Sequence, residues 1–115
     1  MSLKPPQILA PRPAGPHPAY MLDTEILEER AATLARLTRA FETALAAWRA
    51  VEDEAAAGRH PSERRRRRLF DEAADTLWHF VVQREVCGLR NIETVLREYS
   101  VPAVLRLRMG AIRRR

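Results

Sequence analysis

The chain holds one cysteine, Cys87, four glycines and a single lysine, Lys4, and each scarcity removes a class of explanation. One cysteine forms no internal disulfide, so the fold is not a disulfide-stapled one and a reducing, cytoplasmic setting fits best. Gly15, Gly58, Gly88 and Gly110 stand alone, whereas a phosphate-cradling loop needs several glycines together. Long apolar runs are missing as well. The strongest, Phe80-Val81-Val82, is far too short to cross a bilayer, and Met1-Ser2-Leu3-Lys4-Pro5-Pro6 offers no signal-peptide core. No C-x-x-C or H-x-x-x-H spacing exists, so a zinc site has too few ligands.

What is present is arginine and helix. The net charge is +5 and the basic residues are nearly all arginine, which raises a polyanion partner as an expectation. Abundant arginine together with abundant alanine is also what GC-rich coding produces whatever the function. At 115 residues there is room for one domain, and the first 20 residues hold six of the eight prolines. Proline removes backbone donors and fixes φ, so residues 1–20 are expected to be extended or disordered. Pro13-Ala14-Gly15-Pro16 has the P-x-x-P spacing of a docking strip for a protein partner, and Ile8 and Leu9 could anchor the tail in an apolar groove. Residues 21–112 then form a single helical domain, and 113–115 a basic end. A core of about 90 residues buries a modest share of its surface, and association is the usual remedy when disulfides and metals are missing.

The apolar pattern predicts a first long helix from Asp23 or Thr24, either of which could cap it. Leu27, Leu34, Phe41 and Trp48 recur every seven residues, with Ala31, Leu37, Ala44, Leu45 and Val51 widening the same face. Gly58 and Pro61 stop that helix and open the next, so the two are antiparallel neighbours. The second helix runs from about Pro61 to Cys87 and is apolar almost all round between Leu77 and Val82. One partner helix cannot cover such a segment. Gly88 ends it, Asn91 starts a short helix over Ile92–Glu98, and Ser100-Val101-Pro102 restarts a last one over Ala103–Met109, ending at Gly110. The fold class is therefore all-α: a long antiparallel hairpin closed at one end by two short helices. Paired as a homodimer it makes a four-helix bundle, with Phe41, Trp48, Leu77, Trp78 and Val81 as the expected interface.

Phe80-Val81-Val82-Gln83-Arg84-Glu85, Gly88-Leu89-Arg90, Tyr99-Ser100-Val101-Pro102 and Arg108-Met109-Gly110 resemble a family of short bacterial helical proteins of unassigned function. The resemblance covers residues 22–110. It implies an all-helical fold and brings no catalytic residues with it.

Candidate chemistry is sparse. Arg64, Arg65, Arg66, Arg67 and Arg68 could bind an anion such as nucleic acid, but on a helix they point in five directions. They also sit at the helix end where positive charge is disfavoured, just as Glu52, Asp53 and Glu54 sit at the wrong end of the first helix. An antiparallel hairpin brings those two misplaced clusters face to face, so cross-hairpin ion pairing is the stronger expectation. Ile92–Glu98 and Pro102–Met109 have the outline of a helix-turn-helix, though the second element is short for a groove. Glu72, Asp75 and His79 share a face, yet Thr76 stands where a di-iron E-x-x-H pair needs glutamate. Cys87 lies near a helix C-terminus, which disfavours a thiolate. We expect no catalytic residue, cofactor or metal, and a non-enzymatic interaction or scaffold protein acting as a homodimer. The alternative is a nucleic-acid-binding accessory protein using Arg64–Arg68 and the C-terminal arginines.

Overall fold

The computed structural model describes residues 18–113. The proline-rich docking strip, the Ile8–Leu9 anchor and the last two arginines lie outside the described residues. Four helices follow one another: α1, Pro18–Ala56; α2, Glu63–Val86; α3, Ile92–Glu98; and α4, Ala103–Arg113. No strand occurs among the described residues.

Helix α1 has 39 residues and spans about 58 Å at 1.5 Å per residue. It begins at Pro18, earlier than the apolar pattern indicated, because proline is tolerated in a first turn and no breaker follows. The extended stretch expected over residues 1–20 has thus given way to helix by Pro18. Thr24 is not a cap: its hydroxyl donates to the Tyr20 carbonyl one turn back, at 3.0 Å.

Three turns end in the same way. At the end of α1 the Arg59 amide donates to the Glu54 carbonyl and the Gly58 amide to Ala55, with Gly58 at φ 80°. After α2, Leu89 donates to Arg84 and Gly88 to Glu85, with Gly88 at φ 83°. After α3, Val101 donates to Leu96 and Ser100 to Arg97, with Ser100 at φ 49°. Each satisfies carbonyls that a helix end leaves open, and each needs a left-handed residue. Ser62 caps α2 by accepting the Arg65 amide at 3.1 Å.

The core runs through all four helices. Phe41, Leu45, Trp48 and Val51 of α1 meet Ala73, Ala74, Leu77, Phe80 and Val81 of α2, with Val95, Leu96, Leu105 and Met109 from α3 and α4. Phe41 stacks on Phe80 at 5.6 Å, and Tyr99 sets its edge on Phe41 at 5.2 Å. Among the described residues no polar or charged side chain is buried.

The two short helices do not close the end of the hairpin. They lie along its flank, where Arg49 holds the Tyr99 and Ser100 carbonyls at 2.6 and 2.9 Å and Arg108 meets Asp71 at 3.4 Å. The reason is that α2 is apolar on more sides than α1 can cover, and the turn at Ser100 sends α4 back onto it. Helix α4 also passes through Gly110 to Arg113 instead of stopping. Met109 is buried and Ile112 packs on the core, and that packing outweighs the roughly 1 kcal/mol a helical glycine costs.

Candidate interaction surfaces

The arginine run and the acidic end of α1 face each other as the hairpin requires. Glu54 takes Arg65 through both carboxylate oxygens at 3.2–3.3 Å. Glu52 takes Arg66 at 2.9 and 3.0 Å, and Glu63 adds a contact to Arg66 at 3.1 Å. The hydrogen bond that Arg66 donates to Glu52 pushes the Arg66 pKa upward, against the opposing effect of desolvation. Arg67 pairs with Asp71 at 3.4 Å. Arg64 and Arg68 are exposed and make no ion pair among the described residues. Solvated pairs of this kind contribute little stability each but set the register of the two helices. Three of the five arginines thus hold carboxylates within the chain.

Four of the five residues expected at a dimer interface are covered within one chain: Phe41, Trp48, Leu77 and Val81 are all buried. Their burial needs no second copy, because α3 and α4 supply the missing cover. Trp78 is half-buried, its ring edge-on to His79 at 4.9 Å, and its indole Nε1 is buried without an acceptor among the described residues.

The exposed apolar surface gathers elsewhere. The Cys87 thiol at the end of α2 lies 3.9 Å from the Arg30 carbonyl, so α2 ends level with that residue. Everything in α1 before it, about three to four turns, projects past its partner helix. On this overhang Tyr20, Met21, Leu22, Ile26 and Leu27 are exposed, Leu27 at 63%. Val86 and Leu89 are exposed at the neighbouring end of α2. Leu27 belongs to the seven-residue stripe, but Tyr20, Met21 and Leu22 were hidden from sequence reading because the helix was started at Asp23. The signal that finds them is the same stripe, continued one heptad back from Leu27 to Tyr20.

Among the described residues no three His, Cys, Asp or Glu side chains come together as metal ligands do. On the face of Glu72, Asp75 and His79, the imidazole Nδ1 donates to the Asp75 carbonyl at 2.7 Å, an ordinary helix-surface bond. A groove of about 550 Å³ between α1 and α2 is open, with Ala40, Ala44, Ala47 and Leu69 on its walls beside Arg36, Arg39, Thr43, Glu72 and Thr76. The Thr76 hydroxyl is turned back onto the Glu72 and Ala73 carbonyls. No helix among the described residues is long and apolar enough to cross a membrane.

Over residues 8–115 the sequence matches the model of a family of unknown function, DUF6665. The chain belongs to that family. The match takes in all four helices and the approach to α1. No curated protein and no solved structure matches the chain.

Proposed function

We propose that the protein is a small, non-enzymatic interaction protein that works as a homodimer, and that it pairs through the open end of its hairpin. The observation behind this reading is the distribution of exposed apolar side chains. Among the described residues, seven of the nine large ones lie on the α1 overhang or at the adjoining end of α2. Scattered surface leucines are ordinary, but a contiguous patch marks a binding surface. The alternative, a nucleic-acid-binding accessory protein, draws on fewer arginines than the run suggests, since Arg65, Arg66 and Arg67 already hold carboxylates.

Solution mass by light scattering on a sizing column tests the reading. We expect a species near twice 13.2 kDa at micromolar concentration. Leu27→Asp should give a monomer whose urea midpoint equals that of the wild type diluted until it dissociates, because Leu27 lies outside the core. A wild-type chain that stays monomeric at the highest attainable concentration would overturn the proposal.

A further inference from the structure

We propose that two copies pair through their α1 overhangs, antiparallel, about a two-fold axis between Ile26 and Leu27, with Asp23 of each copy meeting Arg30 of the other. This rests on the homodimer reading above and adds its geometry.

The argument starts from the stripe. Tyr20, Leu27, Leu34, Phe41 and Trp48 recur at seven, and the positions interleaved with them form the other half of the same helical seam. Within the hairpin that other half is apolar, at Leu37, Ala44 and Val51. On the overhang it is charged: Asp23 and Arg30, of opposite sign and seven residues apart. Both side chains are exposed, and neither makes an ion pair among the described residues.

Two opposite charges seven apart in one seam select the direction of a partner helix. A parallel copy in register sets Asp23 on Asp23 and Arg30 on Arg30. An antiparallel copy with Ile26 opposite Leu27 sets Asp23 on Arg30 at both ends of the contact. Glu25 and Glu28 lie off this face by helical spacing and stay in water.

The hairpin leaves room for the second helix where α2 stops. Since α2 ends level with Arg30, the Asp23–Arg30 stretch of a second α1 can lie along the overhang in the line that α2 vacates, with its first turn passing beside the end of α2. Its first turn, at Tyr20 and Met21, then reaches Val86 and Leu89, the exposed apolar pair at the end of α2. A projecting helix of three to four turns is marginal without tertiary support, and pairing supplies it. Solvated ion pairs contribute modestly to affinity, so their role is to fix orientation and register.

Charge exchange tests the geometry. Asp23→Arg alone, or Arg30→Asp alone, places like charges at both ends of the contact. Each should raise the dimer dissociation constant about tenfold or more, read by light scattering over a dilution series. The double variant Asp23→Arg with Arg30→Asp restores complementarity and should return the constant to near the wild-type value. Circular dichroism and urea midpoints on all three variants show whether the hairpin core is intact. A wild-type dimer indifferent to the single exchanges, or not recovered by the double one, would overturn this pairing while leaving the homodimer reading in place. A wild-type monomer at every concentration would overturn both, and would hand the face to residues 1–17 of the same chain or to a different protein.

Discussion

Tyr99 joins the turn after α3 to the core at a single residue. Its ring sits edge-on to Phe41 and to Phe80, at 5.2 and 6.2 Å, and its hydroxyl donates to Glu42 at 2.6 Å. Desolvation, with the Glu42 hydrogen bond and charge behind it, pushes the phenol up from 10.0 to about 12. Between those values an unfolded chain releases the proton while the folded chain keeps it. The contribution is therefore complete below pH 10 and is lost as pH rises towards about 12. Urea midpoints across that interval should fall for the wild type. Tyr99→Phe should lower stability by about 1 kcal/mol at neutral pH and flatten the alkaline fall. An unchanged alkaline slope in the variant would show that another group causes it. Nothing in the sequence marked Glu42 as the partner, because the two residues are 57 apart and meet only through the turn at Ser100.

At the scale of the element, the molecule shows when a glycine stops a helix. Gly58 and Gly88 do so because each takes the left-handed conformation that the closing hydrogen bonds require. Gly110 has the same residue type and no such conformation, and α4 runs on through it. Residue identity alone cannot separate these cases; the packing of Met109 and Ile112 decides the third. The mirror image is Ser100, which takes the left-handed position at φ 49° although it carries a side chain. Pro102 made a restart legible there, but not the strain. Ser100→Gly should therefore stabilise the fold by about 1 kcal/mol, the cost of a left-handed non-glycine residue. The measurement is a higher urea midpoint at unchanged slope. A loss of stability would mean that the Ser100 side chain contributes more than its exposed position suggests. The hairpin register was more accessible to sequence reading. Acid at the C-terminal end of α1 and arginine at the start of α2 are each misplaced for their own helix, and the pairs Glu54–Arg65 and Glu52–Arg66 resolve both.

For the whole molecule, two stabilities are expected in one chain. The core around Phe41, Leu77 and Leu105 is closed within a single copy, so it should stay folded when the dimer dissociates. Helix α2 does not run alongside the overhang before Arg30, so the helicity of the overhang should depend on dimerisation. The heptad made both regions readable as one stripe. What it could not tell was where α2 would stop covering that stripe, since this follows from the register at the far end of the hairpin. Hydrogen exchange separates the two. At a concentration about a hundredfold above the dissociation constant, linkage protects the dimer by about 2.7 kcal/mol. Amides from residue 22 to 31 should then exchange roughly a hundredfold more slowly than on strong dilution. Amides around Leu77 and Val81 should stay protected in both samples, slowed on concentration only through the same linkage. Overhang amides that stay protected on dilution would mean that α1 is held to its first turn from within the chain. Loss of protection at Leu77 on dilution would mean instead that the hairpin core itself is shared between copies.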